Sequence, residues 1–184
     1  MNGLRIGFAL SGSFCTFARA LESIEELTAA GAEVTPILSF HAAQTDTRFG
    51  TAAEWLARLT EATGRAPLLT LTDVEPIGPK KLFDLVIVAP CTASTLGRLA
   101  AGISDTPVTL AVKSHLRRSL PVVLAVATND ALGASLRNIA AVKNAKHIYL
   151  VPMRQDDFVN KPNSLVADFS RIRPTIDAAL AGNQ

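Results

Sequence analysis

The sequence predicts an α/β fold in which helices pack against a parallel sheet. Two apolar runs, Leu85–Ala89 and Pro121–Ala127, have the length and β-branched content of strands covered on both faces, as strands of parallel sheets are. Segments with apolar residues at helical spacing alternate with the strand-like runs. Ala, Leu and Val carry the core while aromatic residues make up only 5% of the chain, as expected of helices on a parallel sheet. At 184 residues the chain suits one well-buried domain, 1–184, and is too short for two large ones.

Leu4–Leu10 reads as the first strand. Phe17–Ala30 is the first helix, with Phe17, Leu21, Ile24 and Leu27 on one side and Gly31 as a left-handed end. The turn between them, Ser11–Thr16, falls where a doubly wound fold offers free N–H groups to a phosphate. Gly12 permits close approach, and the hydroxyls of Ser11, Ser13 and Thr16 add donors. The turn lacks the G-x-G-x-x-G pattern, so a plain strand-to-helix connection accounts for it nearly as well.

Glu33–Leu38 is a second strand whose Pro36 suits a sheet edge or a bulge. Ser39 follows at its carboxyl end, either as a flavin contact or as a turn former. Phe40–Gly50 reads as a polar loop, in which Arg48 can grip a carboxylate through two parallel hydrogen bonds or pair internally with Asp46. Thr51–Thr63 is a helix ended by Gly64, with Trp55 in the core or at an interface between copies. Leu68–Leu71 is a short strand and Val74–Lys81 a connecting loop.

The third long strand runs into Pro90-Cys91-Thr92-Ala93-Ser94-Thr95 and then a helix. Small and hydroxylated side chains crowd its carboxyl end, the place where open α/β sheets hold ligands. They let a flat ligand with polar edges approach the backbone; capping of the next helix is the competing role for Thr92, Ser94 or Thr95. Thr106–Arg118 is a helix whose basic residues mostly face water, with Lys113 kept as an anion contact. Pro121–Ala127 ends in Thr128-Asn129-Asp130, where Asn129 offers both a donor and an acceptor to a heterocycle and Asp130 equally suits a helix cap. Leu132–Val142 is a helix, His147–Val151 the last strand and Pro152–Lys161 a loop. Asn163-Ser164 then caps a final helix, Leu165–Leu180, kinked at Pro174.

The formal charge of +2, with basic residues scattered, argues against a nucleic-acid surface. No apolar run approaches the ~20 residues of a membrane span, and the start runs straight into a strand, so a cytoplasmic protein is expected. Cys15 and Cys91 lack metal-type spacing, Asp156-Asp157 reads as solvated, and His41, His115 and His147 are isolated. No metal site and no Ser-His-acid or Cys-His machinery is expected.

APCTAST resembles the Pro-Ala-Ser-Ala-Asn-Thr motif of the flavin-dependent cysteine decarboxylase superfamily, with Ser94 in place of the usual Asn. Taken with LSGSFCTF, QTDTRFG, EPIGPKKLFD, TNDALG and VPMRQDDFVNKPNSLVA, the chain resembles one branch of that superfamily, the B subunits of dipicolinate synthase, from about Arg5 to the last helix. The resemblance implies a flavodoxin-like Rossmann three-layer sandwich. It implies FMN held at Gly12, Ser13, Ser39, Pro90, Cys91, Thr92, Ser94, Thr95, Thr128 and Asn129. It also implies a homotrimer or a multiple of it, and a nicotinamide-binding partner, the A subunit of the synthase, that brings NAD(P). Such a pair oxidises dihydrodipicolinate, or its hydrated precursor, to dipicolinate (pyridine-2,6-dicarboxylate) in the mother cell of a sporulating bacterium. Arg48, with Lys113 or Lys161, would hold the dicarboxylate and Asn129 would touch the ring edge.

Two departures from the pattern matter. The decarboxylases' catalytic His and Pro-x-Met-Asn-x-x-Met-Trp clamp have no counterpart, because the corresponding strand end reads ATNDALG and retains only Asn129. Ser94 cannot reproduce both ends of an amide, which weighs on flavin affinity. A non-catalytic oligomeric scaffold with a vestigial flavin pocket, or an FMN-dependent decarboxylase relative, are the alternatives.

Overall fold

A computed structural model describes residues 1–184. The strands are β1 (Arg5–Leu10), β2 (Glu33–Leu38), β3 (Leu85–Cys91), β4 (Val122–Thr128), β5 (Ile148–Leu150), β6 (Met153–Arg154) and β7 (Leu165–Ala167). The helices are α1 (Phe17–Ala29), α2 (Phe40–Gln44), α3 (Ala52–Thr63), α4 (Leu71–Val74) and α5 (Ile77–Lys80). They continue with α6 (Ala93–Ala100), α7 (Pro107–Leu116), α8 (Leu136–Lys143) and α9 (Ile172–Leu180).

The first five strands pair in parallel in the order β2-β1-β3-β4-β5, the flavodoxin-like order, and helices cover both faces. Alternate residues of each central strand enter opposite cores. Ile6, Phe8, Leu85, Ile87 and Val123 join the α1, α3 and α9 side. Val86, Val88, Leu124 and Val126 join the side with α7 and α8. Both faces being buried is why these strands read as unbroken apolar runs.

Pro36 sits on edge strand β2, as its missing N–H requires. Thr51 caps α3 through a reciprocal bond pair with Glu54, and Gly64 ends that helix at φ 64°. Trp55 is buried in the core, its ring edge-on to Phe17.

Several sequence-based expectations change. The sheet is mostly parallel, because β6 and β7 form an antiparallel pair and β7 joins β4 antiparallel at Ala127 and Thr128. Leu165–Ala167 is therefore a strand; β5 pairs only Val122–Leu124, and β7 fills the edge of β4 beyond that point. The last helix starts at Ile172, so Pro174 falls in its first turn, where the missing N–H has no helical partner to lose. Phe40–Gln44 is helical, capped by Ser39. Leu68 makes one bridge to Ile37, and Thr70 with Asp73 forms a capping box that starts α4 where a strand was expected. The expected loop Val74–Lys81 contains α5. His115, on a helix whose basic residues mostly face water in the sequence-based reading, is buried near Asp84. No helix is long and apolar enough to cross a membrane.

Candidate functional site

The order in which strands are added reverses between β1 and β3: β1 leads outward to β2 on one side, and the crossover returns to β3 on the other. Such a switch point leaves a crevice at the carboxyl ends of the strands. A cleft of about 680 Å³ opens there. It is lined by Ser11–Ser13 after β1, Ser39 after β2, Thr92–Thr95 after β3, and Thr128 with Asn129 at the end of β4.

The polar groups of the cleft fall into two sets. In the first, hydrogen bonds inside the chain already use the hydroxyl. Ser11 Oγ donates to the Pro90 carbonyl at 2.8 Å and accepts from the Thr92 N–H at 3.0 Å, tying the ends of β1 and β3 together. Ser39 Oγ accepts from the Ala42 N–H at 3.3 Å, and Thr92 Oγ1 from the Thr95 N–H at 3.4 Å, each capping a helix. Thr95 Oγ1 accepts in turn from Thr92 Oγ1 at 3.2 Å. Thr128 Oγ1 donates to the Asp130 carboxylate, which also accepts from Ser135 Oγ at 2.8 Å. These two hydroxyls hold the Asp130 carboxyl below the usual carboxylate range.

The second set is unspent. No hydrogen bond within the chain engages Ser94 Oγ or the Asn129 amide, both on exposed residues. The N–H groups of Gly12, Phe14 and Cys15 find no backbone acceptor, because the chain turns through a short 3-10 segment there. Free donors therefore collect after β1, and one adaptable amide stands after β4. An anionic group suits the first position and a ring edge with mixed polarity the second.

Two ion pairs stand at the rim. Arg98 Nε, on α6, donates to Asp105 at 3.0 Å, and Arg98 Nη1 donates to the Ser94 carbonyl at 3.3 Å. Lys161 Nζ lies 3.3 Å from Asp156, both carried to the cleft on the β6–β7 connection. Asp157 organises that connection by accepting from Val159 N–H, Asn160 N–H and Asn160 Nδ2. These bonds, led by those from Asn160, hold its carboxyl below the usual range.

The sequence matches the Flavoprotein family over residues 1–178. The chain belongs to the flavoprotein family. It is similar to the B subunit of dipicolinate synthase from Bacillus subtilis (strain 168), at 41% identity over 184 residues, covering 100% of this chain and 92% of that protein. The crystal structure of the dipicolinate synthase B subunit from Bacillus halodurans C superposes with a TM-score of 0.91 at 39% identity, covering 100% of this chain and 95% of that one. The FMN-dependent cysteine decarboxylase SpaF shares the fold, with a TM-score of 0.69 at 21% identity over 97% of this chain and 95% of that one.

In this flavoprotein the cleft gathers Gly12, Ser13, Ser39, Thr92, Ser94, Thr95, Thr128, Asn129 and Lys161 from the expected residues. Pro90 and Cys91 are buried in β3 and do not line it. Burial pushes the Cys91 thiol up to about 12.

Arg48 and Lys113 do not line the cleft. The Arg48 guanidinium lies 4.9 Å from the centroid of the Phe49 ring, in the turn closed by Thr47 and Gly50. Its alternative partner Asp46 accepts instead from the Ala52 N–H at 2.8 Å. Lys113 Nζ donates to Ser104 Oγ at 3.2 Å. Arg48→Ala is accordingly expected to leave ligand affinity in the cleft of the isolated chain within about twofold of wild type. Calorimetric titration measures this, and a large loss would return Arg48 to the site.

Sequence reasoning missed Arg98, Asp105 and His41, which do line the cleft. Arg98 carried a local signal, standing one helical turn beyond Ser94 on the helix that follows the motif. Asp105 carried none.

Proposed function

We propose that this flavoprotein is the flavin-binding half of a two-subunit oxidoreductase that forms dipicolinate from dihydrodipicolinate or its hydrated precursor. The observation that carries the reading is the switch-point cleft, with unspent N–H donors after β1 and the unspent Asn129 amide after β4. Similarity to the B subunit of dipicolinate synthase along the whole chain supports the substrate class. The partner is the nicotinamide-binding A subunit, with its NAD(P). The assembly is a homotrimer or a multiple of it, and its place the cytoplasm of the mother cell during sporulation.

The residues present fit FMN. A side-chain carbon built on Gly12 would approach nothing in the chain closer than 3.5 Å, so the fold itself has room there. The N–H groups of Gly12, Phe14 and Cys15, with Ser13, would hold the phosphate. Ser94, Thr95 and Asn129 would border the ring, and Ser39, Thr92 and Thr128 would shape the walls through their capping and bridging bonds. When bound, FMN supplies a two-electron acceptor.

Aromatisation removes a hydride and a proton from the dihydropyridine ring, and the chain contributes by orienting that ring. Lys161 attracts a substrate carboxylate, and the Asn129 amide meets the polar ring edge. Small side chains such as Ala93 leave a flat approach to the strand ends.

Gly12→Val tests the reading. The isolated chain should bind FMN in a flavin-fluorescence titration, and the variant should lose at least about tenfold in affinity with an unchanged melting temperature. Mixed with the nicotinamide-binding partner, wild type should form dipicolinate from freshly generated precursor. No FMN binding would remove the proposal, and no partner-dependent product would remove its substrate assignment.

A second reading, a non-catalytic scaffold with an emptied flavin cleft, draws on one observation. The hydroxyls of Ser39 and Thr92 are occupied by helix caps. The same FMN titration decides between the two.

A further inference from the structure

We propose that Arg98 is the residue that seats one carboxylate of the substrate, and that it does so by exchange with Asp105. The inference rests on the dicarboxylate reading above. Arg98 and Asp105 both line the cleft, and both are partly open to solvent, with side-chain exposures of 38% and 56%.

The pairing between them is incomplete. Asp105 takes only the Nε hydrogen, at 3.0 Å, and Nη1 turns back to the Ser94 carbonyl at 3.3 Å. Nη2 has no partner in the chain, so the two-pronged edge of the guanidinium that matches a carboxylate is only half engaged. A solvent-exposed pair of this kind contributes about 0–1 kcal/mol, and a bidentate carboxylate can replace it at little cost.

Backbone geometry supports the exchange. Arg98 is anchored on α6, whose first turn holds Ser94 and Thr95 against the cleft. The Ile103 N–H donates to the Arg98 carbonyl at 2.8 Å, so the segment leading to Asp105 folds directly over the arginine. Asp105 itself precedes Thr106, the cap of α7, and takes no part in that cap, which Thr106 and Thr109 form between themselves. Its carboxylate can leave Arg98 without unwinding a helix. Asp105 thus keeps the guanidinium aimed into the cleft until a substrate carboxylate takes its place, and Arg98 together with Lys161 supplies a cation for each acidic end of a dicarboxylate.

The test is calorimetric titration of the FMN-loaded chain with dipicolinate as the probe. Arg98→Ala should weaken binding at least about tenfold, and Arg98→Lys, which keeps the charge and loses the fork, should recover part of it. Asp105→Asn, which removes the competing carboxylate, should tighten binding about two- to fivefold. FMN affinity, measured separately by fluorescence, should be unchanged in all three variants, as should the melting temperature.

Equal dipicolinate affinity in wild type and Arg98→Ala would overturn the proposal, as would no binding by wild type. Loss of FMN affinity in Arg98→Ala with dipicolinate affinity retained would overturn it too, making Arg98 a flavin-phosphate contact. Weaker binding in Asp105→Asn would overturn the exchange. Each of these results leaves the flavin reading standing if wild type still binds FMN, so the two can fail separately.

Discussion

Gly7→Val should destabilise the protein by about 3 kcal/mol, the upper range for overpacking a well-filled core. Gly7 lies in the middle of β1, between the buried pair Ile6 and Phe8. A side-chain carbon at that position would meet Phe83 Cδ2 at 2.7 Å, Phe83 Cε2 at 2.8 Å and Ile37 Cδ1 at 3.2 Å. Phe83 is itself buried and cannot swing into solvent. In an unobstructed strand interior a residue with a side chain gains about 0.5–1 kcal/mol over glycine, and here the collision outweighs that gain. Urea denaturation should show a lower midpoint with an unchanged slope. Shortening the obstacle should restore part of the loss, so the Gly7→Val/Phe83→Leu double variant should be more stable than the sum of the single changes implies. A Gly7→Val midpoint equal to wild type would mean that the ring does not sit against β1.

The second large effect is a loss of stability in mild acid that traces to His115. Its ring is 1% exposed and its Nε2 has no hydrogen-bond partner. Burial pulls its pKa down from 6.5 to about 4; the nearby Asp84 backbone and charge oppose the shift, and Arg118 adds to it. A base with a depressed pKa in the folded state binds fewer protons folded than unfolded between those two values. Its stability contribution is therefore complete above pH 6.5 and is lost as pH falls toward 4. The full loss is about 3 kcal/mol, an order-of-magnitude figure from the two pKa values. His115→Leu should flatten unfolding free energy between pH 6.5 and 5, a range that lies above the carboxylates. Below it, Asp84, held low chiefly by Arg5, and Asp130 begin to contribute in both proteins. An unaltered pH slope in His115→Leu would show that the imidazole titrates freely.

Much of the framework was legible because the patterns that encode it are local. Leu85–Val88 and Val122–Val126 are apolar at every position because both faces of the sheet are covered, and that reads directly from the chain. Thr51 with Glu54, and Gly64 after Thr63, mark both ends of α3 through contacts a few residues apart. Leu165-Val166-Ala167 misled because three residues carry no usable period. Their conformation follows from the free edge of β4 beyond Leu124, which lies about forty residues earlier in the chain. Arg48 and Lys113 fall outside the cleft, and a cation near a motif carries no local information about where its side chain finds a partner. Arg48 found Phe49, and Lys113 found Ser104.

The sequence by itself determined that parallel strands would end in hydroxyl-rich turns, since apolar period and turn chemistry act over about ten residues. Tertiary structure alone decided which turns share one cleft, which hydroxyls are consumed in holding it and which charges stand at its rim. Ser11 bonds to Thr92 from 81 positions away, and the Lys161–Asp156 pair reaches the same cleft on a hairpin docked against β4. Such contacts arise from the strand order and from the sheet edge left open at β4, and neither is written in any local pattern of residues.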